Sequence, residues 1–198
     1  MTYMIKNELK AKRIWCKGLA GNDNYAEFIG SFQTSGDEKI ILKIACDSMY
    51  AVYLNGTLSC FGQCSDYPYY KYFDTVDISK DSNANNDVKI IVWYTGYDCL
   101  TYIKGEPMLA FSIEQGDKVL LSSDKNILSR QNINYKNGLC KPITTQLGYG
   151  FYYDNTIENT LPYAESVEME GKTEFHYRPI ENLRLEPRCP YTITEQKT

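Results

Sequence analysis

The chain has 198 residues, a net charge of −4 from 21 basic and 25 acidic side chains, and no basic block. That balance argues against nucleic acid as the main partner, because phosphate binding needs concentrated positive charge. The length suits one large all-β domain or two small ones, and it can bury a core without disulfide or metal staples.

Eighteen tyrosines stand against two tryptophans and seven phenylalanines. Tyrosine favours strands and half-buried sites where its hydroxyl stays wet. The bias fits either a sugar-facing surface or the rims of a β-sandwich. Seven cysteines, at positions 16, 46, 60, 64, 99, 140 and 189, are odd in number and include no Cys-x-x-Cys pair. Cys46 and Cys60 fall in predicted strands and read as small buried apolar residues. The N-terminal MTYMIKNELKAKRIW has no apolar stretch of the signal-peptide kind, and no run reaches the roughly 18 apolar residues of a membrane span. The expectation is reduced thiols, a cytoplasmic location and no membrane partner.

In chain order, residues 1–11 read as a short helix or a loose arm. Lys12–Cys16 is a short strand anchored by Trp15, and Gly18–Asn24 is a loop. Tyr25–Thr34 is a strand with Ala26, Phe28, Gly30 and Phe32 on one face by period two. Lys39–Cys46 is a longer strand. Asn55-Gly56 then joins Met49–Leu54 to Thr57–Phe61, because a type I′ hairpin turn needs positive φ at both central positions. Asn55-Gly56-Thr57 also matches a glycosylation sequon, which a tight turn makes a poor acceptor. Gly62–Tyr72 is a tyrosine-rich loop. Lys71–Ile78 is a strand, with either Tyr72, Asp74 and Val76 or Phe73 and Thr75 as a face. Val88–Tyr94 is near-continuously apolar, as a central strand should be. Met108–Glu114 and Lys118–Ser122 form a second hairpin across Gln115-Gly116-Asp117. Residues 124–141 are turn-rich. Ile143–Tyr153 has strand character with a bulge marked by Gly148 and Gly150. Tyr163–Glu170 reads as a helical turn or an irregular strand, and Thr173–Tyr177 as a strand. Prolines 179, 187 and 190 mark an extended exit. Many short strands separated by turns define an all-β, antiparallel β-sandwich of the jelly-roll or galactose-binding-like kind. Its organisation is an arm over 1–11, the sandwich over 12–186 and an exit segment over 187–198.

The order of an early Trp15, YAEFIGSFQ, IILKIACDSMYAVYLNGTLSCFG, YKYFDTVDIS and VKIIVWYTG resembles the β-sandwich that stands ahead of the catalytic domain in bacterial α-L-rhamnosidases. Asp47, Tyr50, Tyr53, Asn55, Gly56, Tyr72, Asp77 and Ile78 fill the places of that pattern. The second half, LAFSIEQGDKVLLSSD, ITTQLGYGFYYD and HYRPIENL, is similar as well, so the likeness runs from about Arg13 to Leu183. The Asn-Gly hairpin is shared with the sandwiches of β-galactosidases and glucuronidases; the RPI-x-x-L exit tips the likeness toward rhamnosidases. In that family a helical (α/α)₆ barrel follows and hydrolyses the glycoside. The resemblance therefore implies a C-terminal catalytic domain as partner. The paired carboxylates of a glycosidase would belong to that partner, and no catalytic residue is carried over here.

The residues themselves offer little catalytic chemistry. His176, the single histidine, would have to serve any Ser-His-Asp or Cys-His arrangement, and it sits in a predicted strand near the exit. Cys60, Cys64 and His176 fall short of a clustered zinc ligand set. Gly148-Tyr149-Gly150 lacks the rest of a nucleotide fingerprint. Asp47, Asp74 and Asp77 read as turn and strand-end residues, and no loop has a dense calcium-ligand pattern. No metal, cofactor or catalytic residue is expected.

The Asp66–Tyr72 loop (DYPYYKY) is the most telling surface. Asp66, Tyr67, Tyr69 and Tyr70 are the candidate carbohydrate contacts, since sugars offer C–H faces to aromatic rings and hydroxyls to polar groups. The competing reading packs Pro68 and the tyrosines against the sandwich or a neighbouring domain. The functional expectation is a non-catalytic N-terminal accessory domain of an α-L-rhamnosidase-like glycoside hydrolase that supports the catalytic domain and contacts carbohydrate. The alternative is a stand-alone carbohydrate-binding module.

Overall fold

A computed structural model describes residues 8–62, 66–138, 141–171 and 173–180. Residues 1–7, Cys64, Cys140, Cys189, Leu183 and the predicted exit at 187–198 lie outside the described residues. The first eight strands in chain order are β1 (Ile14–Trp15), β2 (Asn24–Gln33), β3 (Ile40–Cys46), β4 (Met49–Leu54), β5 (Thr57–Gly62), β6 (Tyr70–Asp77), β7 (Asn85–Tyr94) and β8 (Leu109–Gln115). Shorter ones follow: β9 (Lys118–Ser122), β10 (Leu128–Gln131), β11 (Pro142–Thr144), β12 (Gly148–Tyr149), β13 (Ala164–Glu165), β14 (Val167–Glu168) and β15 (Glu174–Tyr177).

Strands β1 to β8 make the frame. One sheet has the order β1-β8-β3-β6 and the other β2-β7-β4-β5. The chain changes sheet after every strand except β4, which turns directly into β5. That is the strand order of a jelly roll. The predicted all-β sandwich is therefore present, with one addition to its antiparallel scheme: β15 pairs with β6 in parallel.

Alternation along each strand fills the space between the sheets. Ala26, Phe28 and Phe32 from β2, Val52 and Leu54 from β4, and Val88, Ile90 and Val92 from β7 meet Leu42 and Ile44 from β3 and Phe111 and Ile113 from β8. Trp15 closes one end, with Phe28 at 5.9 Å and Tyr94 at 6.3 Å between ring centroids. Its indole donates to the Leu19 carbonyl at 3.0 Å, so the buried N–H is satisfied. Cys46 and Cys60 are buried as expected, and Cys16, Cys46, Cys60 and Cys99 are free thiols.

A second cluster lies on the outer face of the first sheet, where Leu9 covers Ala45, Phe73, Met108 and Ala110. Residues 8–11 of the predicted arm therefore pack without helical structure. The Lys43 ammonium, buried in the same layer, pairs with Glu114 at 2.8 Å and donates to the Glu8 carbonyl at 3.1 Å.

Three segments differ from the sequence reading. The turn-rich 124–141 region contains β10, a four-residue strand on the edge of β2; its pattern is too short to announce itself without that neighbour. The 143–153 strand is instead a separate two-stranded ribbon, β11 with β12, and its register shifts between Pro142 and Thr144, opposite Gly148 at φ 71° and Tyr149, so the expected irregularity is present. The 163–170 segment splits between the sheets: β13 pairs with β10, and β14 pairs with β1. The predicted β4–β5 hairpin is present, with φ of 52° at Asn55 and 82° at Gly56. Asn55 is also tied to β7, donating to Asn86 Oδ1 at 3.0 Å and accepting from the Asp87 N–H at 3.1 Å.

A Cβ added at Gly56 meets nothing within 4 Å, so Gly56→Ala tests the backbone conformation alone. The expected loss is about 1–2 kcal/mol of stability, read from the midpoint of urea unfolding; an unchanged midpoint would show that the turn relaxes out of positive φ.

Candidate functional site

The predicted loop opens where Pro68 and Tyr69 turn the chain between Tyr67 and Tyr70, whose backbones bridge with the Tyr70 N–H donating to the Tyr67 carbonyl at 3.1 Å. The Tyr67 and Tyr69 rings stack at 5.6 Å and 19°, and they are 52% and 72% exposed. Tyr70 turns away to lie flat on His176, centroids 3.6 Å apart, and meets Tyr72 edge-on at 5.5 Å. Asp66 points inward. Its carboxylate accepts from Lys71 Nζ at 2.7 Å and from the Tyr72 N–H at 3.1 Å. Of the four candidate contacts, two tyrosines present their rings to solvent, one is half-buried, and the carboxylate is committed to the loop's own anchor.

That anchor is a buried ionic network. Lys71 Nζ reaches Asp47 at 2.6 Å as well as Asp66, and Tyr102 donates its hydroxyl to the other Asp47 oxygen. Only a glycine fits at 105, where a Cβ would come within 2.6 Å of Asp47 Oδ1. Burial alone lowers the Lys71 pKa, but Asp47 and Asp66 outweigh it and raise it; burial raises Asp66 despite Lys71.

Asp74 stands opposite Ile44 in the sheet register, on the face that meets the second sheet. Tyr50 from β4 donates to it at 2.6 Å, and Arg178 pairs with its other oxygen while lying over the Tyr72 ring at 5.5 Å. Asp74 is thus a buried ion-pair centre within β6 and not the turn or strand-end residue read from sequence, whereas Asp47 does sit in the bend between β3 and β4 and is a buried ion-pair centre there. Asp77 does serve the strand end, accepting from the Ser79 N–H and hydroxyl and pairing with Lys39. The Cys60 thiol, buried and near Asp74, is pushed up to about 12, so it stays protonated. Among the described residues no group of three or more His, Cys, Asp or Glu could hold a metal ion.

A concave site that the sequence reading missed lies on the outer face of the second sheet. In β2, Tyr25 and Glu27 alternate with the core residues Ala26 and Phe28, yet they too are buried, because Tyr135 covers Tyr25 while Asn132 and Tyr163 cover Glu27. Glu27 accepts from Arg130, from Tyr163 at 2.7 Å and from Asn132 at 3.1 Å. Arg130 in turn donates to the Asn159 and Leu161 carbonyls. Tyr25 stacks between Trp93, at 5.5 Å, and Tyr135, at 4.2 Å, with all three rings within 5° of parallel at each contact. Phe151 and Tyr153 then meet Tyr135 at 5.8 and 4.8 Å, tilted by 65° and 62°. Between these rings and Tyr53 and Lys89 of the sheet runs a cleft of about 700 Å³. The alternation of β2 and β7 carries a weak signal for this face; which loop covers it does not follow from local pattern.

In fold, the chain is similar to solved α-L-rhamnosidases, as the sequence motifs led one to expect. Against the GH78 family rhamnosidase of Bacillus sp. GL1 the TM-score is 0.74 at 20% identity, covering 85% of this chain and 20% of that one. Against the α-L-rhamnosidase of Dictyoglumus thermophilum it is 0.60 at 19% identity, covering 88% and 23%. Against that of Aspergillus terreus it is 0.59 at 13% identity, covering 82% and 21%. The chain thus spans about a fifth of the length of these proteins. No protein-family model and no curated protein matches the sequence.

Two outcomes follow from the buried groups. Lys71→Met leaves Asp47 and Asp66 facing each other without a cation and is expected to cost about 3–5 kcal/mol, measured by urea unfolding at neutral pH; a loss below about 1 kcal/mol would place the pair in solvent-like surroundings. The second concerns alkali. Burial first, then Glu27, pushes Tyr163 up to about 12, and burial also raises Tyr50 and Tyr102. Unfolded tyrosines release their protons near 10, so above that pH the unfolded chain binds fewer protons and stability falls as pH rises. This contribution is complete below about pH 10 and is lost through about 12. Urea midpoints from pH 9 to 11.5, with tyrosinate absorbance alongside, should fall together with delayed ionisation of a buried tyrosine class.

Proposed function

We propose that this chain is a non-catalytic N-terminal accessory domain of an α-L-rhamnosidase-like glycoside hydrolase. In this reading it packs against a C-terminal catalytic domain and contacts carbohydrate through the loop of Tyr67, Tyr69 and Tyr70. The observation that carries the reading is the match of 85% of the chain to a fifth of a GH78 rhamnosidase at TM-score 0.74.

Surface chemistry supports the docking role. The loop at 97–103 meets the β11–β12 ribbon, with the Leu100 N–H donating to the Thr145 carbonyl at 3.0 Å and the Tyr97 ring 5.4 Å from Tyr149. Leu100 and Leu147 are 72% and 70% exposed there, and Ile143 and Tyr152 are exposed beside them. Apolar side chains gathered in this way mark interaction surfaces more often than free ones. The stacked Tyr67 and Tyr69 rings support the sugar contact, since pyranose C–H faces lie against aromatic rings. The free thiols of Cys16, Cys46, Cys60 and Cys99 fit a reducing, cytoplasmic setting. No helix among the described residues is long and apolar enough to cross a membrane.

The test is to read the coding frame onward from the codon for Thr198 and to assay an aryl α-L-rhamnoside. The expected result is continuation into a helix-rich segment, turnover by the longer protein and none by this chain alone. A stop codon directly after Thr198 would overturn the accessory role and leave the stand-alone carbohydrate-binding module. Chemical-shift titration with L-rhamnose and galactose is expected to move Tyr67, Tyr69 and Tyr70; silence up to high millimolar sugar would remove the sugar contact from the proposal.

A further inference from the structure

We propose that the cleft on the outer face of the second sheet is a binding site for an oligosaccharide, distinct from the Tyr67 loop. This rests on the reading that the domain contacts carbohydrate, and it adds a site built from other strands.

The cleft has the chemistry that a sugar chain needs. One wall is aromatic: Tyr135, Phe151 and Tyr153 stand on the 132–163 segment, with Phe151 68% and Tyr153 49% exposed. The wall is held in place before any ligand arrives. Tyr135 lies flat on Tyr25, which lies flat on Trp93, and Tyr153 pairs by backbone with Tyr135. The turn behind it is tied by the Asp154 N–H to the Asn134 carbonyl at 2.8 Å and by Asn134 Nδ2 to the Ile157 carbonyl at 2.5 Å. A preformed wall avoids the ordering cost of binding.

The opposite wall supplies polar groups. Lys89 lies over the Tyr53 ring at 5.2 Å, and among the described residues its ammonium makes no ion pair or hydrogen bond. Glu158, at the rim, is likewise uncommitted and exposed. By contrast Glu27, Arg130 and Asn132 below them are bonded to one another. The floor is therefore closed polar structure, while the rim offers one cation, one carboxylate and tyrosine hydroxyls for sugar hydroxyls.

Other ligand classes fit less well. An anion would find Lys89 matched by Glu158. A peptide adding as a strand needs an open sheet edge, whereas the sheet beneath the cleft is β2, β7 and β4 side by side, with β7 paired on both sides. The length points to more than one ring: a second hollow of about 880 Å³, reaching Val119, Leu121 and Asn126, shares Tyr53 and Lys89 with the first.

The experiment is titration of the whole chain with an α-L-rhamnosyl trisaccharide, cellotriose and galactotriose. Binding is followed by tryptophan fluorescence, in which Trp93 reports through its stack, and by amide shifts at residues 53, 89, 135, 151 and 153. We expect saturable binding of at least one probe at about millimolar Kd, weakened about tenfold by Phe151→Ala and by Lys89→Met. Circular dichroism and the urea midpoint show that the variants are folded; Phe151 and Lys89 are both exposed, so their folds should persist. Two results would overturn the cleft. One is no saturable response to any probe. The other is binding lost with Tyr69→Ala but intact in both cleft variants, which would keep the carbohydrate reading and assign it to the Tyr67 loop alone. Neither result touches the coding-frame test of the accessory role.

Discussion

A carboxylate carried into the interior of a sheet must be met by donors, and three such carboxylates organise this domain. Glu27, Asp47 and Asp74 are 3%, 0% and 1% exposed. An uncompensated buried charge costs several kcal/mol, so each one demands partners, and its own strand or turn cannot supply enough. Glu27 draws in Arg130, 103 residues away, together with Asn132 and Tyr163. Asp74 draws in Arg178, 104 residues away, and Tyr50 from the facing sheet. Asp47 holds Lys71 and Tyr102. The long connections of the second half of the chain are placed by these requirements more than by any secondary structure of their own.

The same requirement accounts for much of the tyrosine. Tyr50, Tyr102 and Tyr163 each bring a hydroxyl to a buried carboxylate, a task that phenylalanine cannot perform and that a charged residue would perform at greater desolvation cost. Tyr25, Tyr135 and Tyr153 form the ring stack against the second sheet. Tyr67 and Tyr69 face solvent. One compositional bias thus divides into interior hydrogen bonding, packing and an exposed surface. The exposed aromatic rings at two separate places are what ties this fold to carbohydrate in the functional proposals.

Glycine and serine do quieter work at the junctions. Gly62 ends β5 where a Cβ would come within 2.7 Å of both the Tyr50 hydroxyl and Asp74, so the carboxylate can sit between the sheets. Ser166, buried between β13 and β14, bonds the Ser129 hydroxyl at 3.0 Å. The chain crosses from one sheet to the other around that contact. A short polar residue suits a crossing where backbone groups of both sheets need partners.

Local pattern was enough to establish the frame. Period-two alternation, the Asn55-Gly56 and Gly116-Asp117 turns and the apolar run of β7 express backbone sterics and burial on one face, which act between near neighbours and can be read along the chain. The quoted motifs also located the likeness to rhamnosidase sandwiches. What only the tertiary structure decided depends on distance in sequence: the inward turn of Asp66 toward Lys71, the pairing of Asp74 with Arg178, the parallel addition of β15 and the cleft under Tyr135 and Phe151. Arg130 and Glu27 are unremarkable as letters. They become a fixed pair only when β10 lies beside β2, because Coulomb attraction in a water-poor interior acts through space and leaves no period in the sequence.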